Sequence, residues 1–442
     1  MFQTLFIIPH WLFTGPLTVA WLVFGLGIIG YMLSKKPKPG QAKGQNQNEA
    51  FAFVPVYIVV AAVIHFVLPM FEVEDLDRNP IGLAVRGYGF FLLLAIAAGL
   101  SAAWVRCRQL KYDFEIILSL GFWMIVCGIT GARLFYLIQK REIFGSVAPA
   151  DIPFLLLDVT KGGLVVYGAV IGGLIALLII VAVRRLPLFK IADIIAPGMV
   201  IGLAIGRIGC LMNGCCFGGA CNIDVVAIHF PAGSPPYMRQ IATGEMLGMT
   251  TKVIEEETVD QIEKREVLTI SEDSEVYEAG IRVGDHINIW TGDADVIREI
   301  KSNPDSERLE EVTIAHGRNN IKIDVRNLPN RGIGIHPTQI YSSINASILF
   351  LFLWFYFPYR KGHGEVFAWM LILYAITRFL LEAIRVDEMG AFGTPFSISQ
   401  LVSFGTLALG LAILLVARVK FPVVEGEDVD SNDMKHRKPA GI

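Results

Sequence analysis

Residues 164–183 read Leu-Val-Val-Tyr-Gly-Ala-Val-Ile-Gly-Gly-Leu-Ile-Ala-Leu-Leu-Ile-Ile-Val-Ala-Val, without a single charge, and are closed by Arg184 and Arg185. A stretch of this kind meets the roughly 17–25 apolar residues needed to cross a hydrocarbon layer about 30 Å thick. Lipid offers no partner to backbone N–H and C=O groups, so the segment is expected to be a helix that satisfies its own. Working outward, runs of the same character lie near 11–33, 51–71, 83–104, 114–138, 191–209, 338–358, 364–384 and 397–418. Only 18% of the 442 residues are charged, against about 25% in a soluble domain. The fold expected is therefore an all-α polytopic membrane protein of about nine transmembrane helices, two N-terminal extra ones and a seven-helix core.

Charge placement orients the spans. One alternating set of loops holds Lys35, Lys36, Lys38 and Lys43, then Arg106, Arg108 and Lys111, then Arg184, Arg185 and Lys190, then Arg360 and Lys361, then Arg418 and Lys420. The other set holds Glu72, Glu74, Asp75 and Asp77, then Asp151 and Asp158, then Asp387 and Glu388. Basic loops mark the cytoplasm, so the N-terminus and the long 210–335 loop are expected outside and the tail 421–442 inside. The first run carries its positive charges after it, which reads as a retained anchor rather than a cleaved signal peptide. Residues 34–50 (SKKPKPGQAKGQNQNEA) form a polar linker within the extra N-terminal part, 1–80. The core is then expected in two pieces, 81–221 and 331–420, around an insert at 222–330. The net charge of -3 averages two faces of opposite character, and no nucleic-acid partner is expected.

Within the insert the composition changes. Charge rises and strand alternation appears from about 262 to 328. Glu266–Ile270 reads as a strand, Ile287 and Ile289 alternate in another, and 295–302 reads as a short helix with Val296, Ile297 and Ile300 on one face. Val312 and Ile314, the turn 316–320, and Ile321, Ile323 and Val325 read as a hairpin. The run Ala279-Gly-Ile-Arg-Val-Gly-Asp-His-Ile-Asn-Ile289 with Gly292 resembles PDZ domains. That resemblance implies a small β-rich periplasmic domain and, by strand addition, a peptide or protein ligand.

Ionisable residues inside apolar runs are costly and mark functional candidates. Arg86, Arg133, Arg207, Arg378, Glu382 and Arg385 lie within runs or at their outer ends. Arginine does not shed its proton, so several together call for an anion. Glu382, four residues after Arg378 on one helical face, is the obvious carboxylate among them. The guanidinium excess points to a phosphate, which arginine grips in bidentate fashion. In the outer leaflet that phosphate most economically belongs to a lipid headgroup; separate snorkelling of each arginine is the bland alternative. Gly162, Gly163, Gly168, Gly172, Gly173, Gly202, Gly206 and Gly209 permit close helix contact.

Four segments then match one family in order. Gly206-Arg-Ile-Gly-Cys-Leu-Met-Asn-Gly-Cys-Cys-Phe-Gly218 resembles the GRxGNFxNxExxG signature of prolipoprotein diacylglyceryl transferases. Gly162–Gly172 resembles the family's GGMSFHGGLIG, His336–Tyr341 its HPSQLYE, and Tyr374–Arg385 its YxxxRxxxExxR. The resemblance implies transfer of the diacylglyceryl group of phosphatidylglycerol to the lipobox cysteine of prolipoprotein signal peptides, in a bacterial inner membrane, with no cofactor. It implies that Arg207 and Arg378 hold the headgroup and steady the departing glycerol phosphate. Asn213 and Gly218 would shape the pocket, Tyr88 would line the lipid cavity, and Arg133, Tyr136 and Tyr374 would supply polar positions. His336, Gln339 and Tyr341 would close the site after the insert, with Arg385 beside Glu382.

The sequence departs from the pattern where the chemistry is most sensitive. The family's histidine is Tyr167, its first signature asparagine is Cys210, its signature glutamate is Cys215, and the glutamate after HPSQLY is Ser342. Histidine suits a thiol of pKa about 8.5 as a general base, whereas tyrosine near 10 does not unless shifted. Tyr167 is then expected to donate to the phosphate, leaving base duty to His336, Glu382 or an already ionised substrate. Cys210, Cys215, Cys216 and Cys221 lack the two-residue knuckle of a zinc site. No metal is expected, and disulfide pairing or small packing roles stand as readings. Loss of the base leaves a second function open, a non-catalytic lipid- or lipoprotein-binding scaffold. An intramembrane protease is excluded by the lack of a His-Glu-x-x-His motif or paired intramembrane aspartates.

Overall fold

The computed structural model describes residues 4–9, 16–34, 73–74, 80–139, 165–256, 263–303, 310–317, 319–382 and 396–422. It is mostly helical, with two small sheets. Residues 1–91 form one compact unit and 92–442 a second. In the first, β1 (Thr4–Pro9), β2 (Val73–Glu74) and β3 (Pro80–Arg86) make an antiparallel sheet in the order β1-β3-β2. Ile7 faces Ala84 and Val73 faces Gly82 in its register. This sheet corrects an all-α expectation for the core: the run begun at 83 divides, with β3 ending at Arg86 and α2 starting at Gly87. Helix α1 (Pro16–Ser34) falls on the first run. The second run, 51–71, lies outside the described residues.

The other runs become α2 (Gly87–Gln109), α3 (Phe114–Gln139), α4 (Val166–Val183), α5 (Leu188–Asn213) and, after the insert, three more helices. The latter span Thr338–Tyr356, Glu365–Glu382 and Ile398–Lys420. Among the described residues, five helices are long and apolar enough to cross a membrane: Gly87–Gln109, Phe114–Gln139, Leu188–Asn213, Thr338–Tyr359 and Ile398–Lys420. Tyr167–Val183 is a shorter apolar helix.

Glycine sets the tightest crossings. A Cβ on Gly99 of α2 would stand 2.9 Å from the Gly198 carbonyl oxygen of α5, and one on Gly198 2.6 Å from that of Gly99. Gly131 and Gly168 close α3 on α4 in the same manner, and a Cβ on Gly172 would strike the Cys127 carbonyl. Apolar helices in lipid gain from each other chiefly by such dispersion contact, which grows as backbones approach. Elsewhere aliphatic side chains fill the seam: Ala196, Val200, Ala204, Ala346, Leu349, Leu353, Val366 and Met370 form one buried cluster.

A polar lock sits where α5 begins. The Asp193 carboxylate, 1% exposed, accepts from Gly364 N (2.7 Å) and Phe367 N (3.0 Å), satisfying amides that the first turn of Glu365–Glu382 leaves orphaned. Glu365, fully buried, accepts from Tyr356 Oη at 2.8 Å, Arg418 Nε at 2.9 Å and the amide of Gly362 at 3.2 Å. Arg106 donates to the Trp354 carbonyl and stacks on the Trp354 ring at 3.9 Å.

The insert adds α6 (Pro235–Ala242), β4 (Met249–Glu256), β5 (Glu263–Ile270), α7 (Glu275–Glu278), β6 (His286–Trp290), α8 (Ala294–Ser302), β7 (Glu311–His316) and β8 (Asn319–Asp324). Completing the order, α9 is Thr338–Tyr356, α10 Glu365–Glu382 and α11 Ile398–Lys420. The strands form a five-stranded antiparallel meander, β4 to β8. Ile314 pairs with Ile289 on one side and Ile321 on the other. The expected strands, helix and hairpin fall on β5, β6, α8 and β7–β8. The core reaches further back than residue 262, however, because Ala232, Tyr237, Ile241, Leu247 and Met249 pack with Val267, Ile287, Ile297 and Ile314. The chain enters and leaves this body side by side: Gly332 N donates to Phe230 O at 2.8 Å, and Ala232 N to Asn330 O at 3.2 Å.

Candidate active site at one end of the helix bundle

Helix direction alone gathers most of the candidates. The turn 184–187 makes α4 and α5 antiparallel, so the start of α4 and the end of α5 share one end of the bundle. The Gly131–Gly168 contact puts the end of α3 there as well. Ser343 Oγ donates to Ala204 O at 2.8 Å, which brings the start of α9 to the same level. Asp193 fixes the start of α10 at the opposite end, so α10 terminates where the others meet. Arg133, Tyr136, Tyr167, Arg207, Asn213, His336, Gln339, Tyr341, Arg378 and Glu382 thus lie toward the end away from the Asp193–Glu365 lock, while Tyr374 sits midway along α10.

The turn after α5 builds the first half of the site. Gly214 adopts φ +75° and caps the helix, its N–H donating to the carbonyls of Cys210 and Leu211. Cys216 also lies in the left-handed region, at φ +59°, a conformation that strains a residue bearing a Cβ. The reversed chain then docks on the start of α9. Gly218 N donates to His336 O at 3.0 Å and His336 N to Gly219 O at 2.9 Å. Thr338 Oγ1 donates to Cys216 O and Gln339 Nε2 to Cys215 O, both at 2.7 Å. Glycine is required at 218, because a Cβ there would lie 2.7 Å from His336 Cβ and 2.9 Å from His336 O. His336 in turn places Nδ1 3.4 Å from the Tyr341 hydroxyl.

The second half lies between α10 and α11. Arg378 Nη1 stands 2.6 Å from Glu382 Oε2, one helical turn on, and Arg378 Nη2 donates to Ser399 Oγ at 3.0 Å. Glu382 is 5% exposed and also accepts from Ser397 Oγ at 3.4 Å. Arg133 is buried over the Tyr136 ring at 5.3 Å. Arg207 and Tyr374 are half-buried, and Tyr167 is exposed at the start of α4. Tyr88 is exposed in the first turn of α2. Arg385 lies outside the described residues. Among the described residues, Arg207, Arg378 and Tyr167 make no direct hydrogen bond to one another; they stand on three separate helices, toward the same end of the bundle.

Comparison with known proteins decides the lineage. The family model for prolipoprotein diacylglyceryl transferase matches residues 79–416. The chain belongs to the prolipoprotein diacylglyceryl transferase family. A phosphatidylglycerol–prolipoprotein diacylglyceryl transferase of Rhodopirellula baltica is 34% identical over 94% of this chain and 89% of its own length. A Clostridium perfringens protein named phosphatidylglycerol–prolipoprotein diacylglyceryl transferase 2 is 23% identical over 78% of this chain and 96% of its own length.

Cys210, Cys215 and Cys216 place their Sγ atoms within 4.8 Å of one another, and none of the six cysteines is in a disulfide. The spacing lacks a zinc knuckle, yet the αL turn at Gly214 and Cys216 folds the later two back over Cys210. Sequence reasoning also passed over Ser397 and Ser399, which serve Glu382 and Arg378. A signal was present: Ser397 and Gln400 make a reciprocal capping box at the start of α11.

Proposed function

We propose that this family member transfers the diacylglyceryl group of phosphatidylglycerol to the lipobox cysteine of prolipoproteins. The observation that carries the reading is the pattern of buried and half-buried charge toward one end of the bundle. Arg133, Arg207 and Arg378 lie toward that end on three helices, while Glu382 is the one buried carboxylate among the described residues there. A thiolate attacks the glyceryl carbon, the carbon–oxygen bond to phosphate breaks, and glycerol 1-phosphate leaves with the electron pair. Arg207 and Arg378 neutralise the charge that grows on the departing phosphate in a site of low dielectric constant. Glu382 and Ser399 hold Arg378 in place from two sides, so its guanidinium needs no reorganisation as that charge develops. Gln339, Thr338 and Gly218 fix the turn and His336 relative to α9, which is positioning rather than chemistry.

In this reading the chain spans a bacterial inner membrane about nine times, with its basic loops in the cytoplasm. The insert is periplasmic and PDZ-like, and steers precursors toward the site; excising it between Ala232 and Asn330 slows peptide use while sparing lipid binding. Unchanged peptide kinetics would remove that role. The transferase itself is tested in detergent micelles with phosphatidylglycerol and a synthetic lipobox peptide, comparing wild type with Arg207→Ala, Arg378→Ala and Tyr167→Phe. Glycerol phosphate release that both arginine changes abolish supports the reading. A folded, lipid-binding wild type that releases none identifies a binding scaffold instead.

A further inference from the structure

We propose that Cys210, Cys215 and Cys216 hold a zinc ion whose open fourth position takes the acceptor cysteine thiol. The proposal rests on the transferase reading for its substrate and on the turn after α5 for its geometry. Zinc binds thiolate at about 2.3 Å in a tetrahedron, which sets sulfur–sulfur separations of roughly 3.8 Å. The three Sγ atoms already lie within 4.8 Å of one another. Rotation of the side chains by about 1 Å closes that difference, well within the reach of a χ1 adjustment.

Two independent observations point to an occupant. Cys216 is held at φ +59°, and strain of this kind persists where surrounding structure enforces it, commonly at ligand sites. Gln339, 1% exposed and bonded through Nε2 to the Cys215 carbonyl, leaves its buried Oε1 without a partner. A buried acceptor of that kind costs free energy unless a donor arrives, and an incoming peptide amide or a metal-bound water supplies one. The fourth cysteine does not complete the set, since Cys221 Sγ is engaged with Ile223 O at 3.8 Å. Three protein ligands with one open position is the arrangement of a catalytic zinc site, not of a structural one.

The chemistry answers the loss of the family histidine at Tyr167. A thiol that coordinates zinc is deprotonated outright, so the acceptor cysteine gives its proton to solvent on binding and needs no protein base. Three thiolates and one zinc carry a net charge of -1, which keeps the bound sulfur electron-rich. Its lone pair forms the carbon–sulfur bond as the carbon–oxygen bond breaks, and the electron pair departs on glycerol phosphate. The thioether product is a neutral, weak ligand and leaves the metal. Arg207 lies one turn before Cys210 on α5, which sets the anion-binding and thiol-binding groups on neighbouring positions of one helix.

The test uses the full chain purified without chelator, with metal content read by mass spectrometry and with cobalt substituted for zinc. About one zinc per chain is expected, with thiolate-to-cobalt charge-transfer absorption. A lipobox peptide should alter the cobalt spectrum, and the same peptide with serine in place of its cysteine should not. Cys215→Ser/Cys216→Ser should lower both metal content and glycerol phosphate release at least tenfold, while Arg207→Ala keeps the metal and loses release. Metal-free chain, a disulfide among the three cysteines in non-reducing peptide maps, or a cobalt spectrum blind to the cysteine peptide would each overturn the proposal. Undiminished transfer by the serine variant would overturn it too. A peptide-responsive cobalt site without any glycerol phosphate release defeats the transferase reading alone and leaves the thiol-binding metal site standing.

Discussion

Adding one methyl group at Gly218 should uncouple the turn after α5 from the start of α9. In Gly218→Ala the new Cβ falls 2.7 Å from His336 Cβ and 2.9 Å from both His336 O and Thr338 Cγ2. Carbon atoms rest at about 3.5–4.0 Å, so the two segments must part by roughly 1 Å. That stretches the Gly218 N–His336 O and His336 N–Gly219 O bonds, now 3.0 and 2.9 Å, to about 4 Å, beyond hydrogen bonding. Two bonds at about 1 kcal/mol each and about 1–3 kcal/mol of overpacking give a destabilisation of roughly 3–5 kcal/mol. The same displacement carries His336 and Gln339 away from their places and should slow transfer about 100-fold. Thermal unfolding in detergent, read beside glycerol phosphate release, measures both. Gly206→Ala serves as the control, since nothing lies within 4 Å of a Cβ there; it should be neutral or stabilising by up to about 1 kcal/mol. A Gly218→Ala protein within about 0.5 kcal/mol and twofold of wild type would refute the reasoning.

Three shorter expectations accompany it. Glu382→Gln keeps the shape and removes the charge 2.6 Å from Arg378; transfer should fall about 10- to 100-fold with lipid binding retained, and full activity would show that Arg378 is placed by other groups. Asp193→Ala orphans the amides of Gly364 and Phe367 at about 1–3 kcal/mol each, which should lower the unfolding temperature while low-temperature turnover, set at the other end of the bundle, survives. Tyr237 donates to Pro329 O at 2.8 Å, and burial pushes its hydroxyl up to about 12. With the folded value raised, insert stability stays level below about pH 10, where both states are protonated, and falls from there to about pH 12 as only the unfolded tyrosine ionises. Tyr237→Phe should flatten that decline, measured by unfolding at fixed temperature across the range.

The helices were legible because an uncharged run such as 164–183 admits few other folds in lipid. The insert's sheet was legible in part: Ile287, Ile289, Val312 and Ile314 alternate, whereas β4 (MTTKVIEE) and α6 (PPYMRQIA) carry their buried Met249, Tyr237 and Ile241 among polar neighbours. β3 was hidden because its apolar residues join the run that becomes α2. Asp193 and Glu365 were passed over for a different reason: the Asp193 carboxylate meets Gly364, 171 positions away, and no local pattern announces that pairing. Arg207, Arg378 and Glu382 could be singled out by their cost inside apolar segments, while the serines that hold them are cheap residues and draw no notice. The cysteine cluster depended on a left-handed residue at 216, which spacing alone does not reveal.

The paired chain at Phe230–Gly332 and Ala232–Asn330 has a consequence for how this molecule could have been assembled. A body of about a hundred residues joins the bundle through two adjacent threads, with Arg239 of α6 lying over the Phe217 ring of the turn after α5, so its ends lie side by side. Such a graft can be exchanged at a single point in the gene, provided that its replacement keeps the residues that rest on the turn after α5. Variation in what lies beyond those two threads is then free to follow whatever precursors a given cell exports, while the machinery beneath stays as it is.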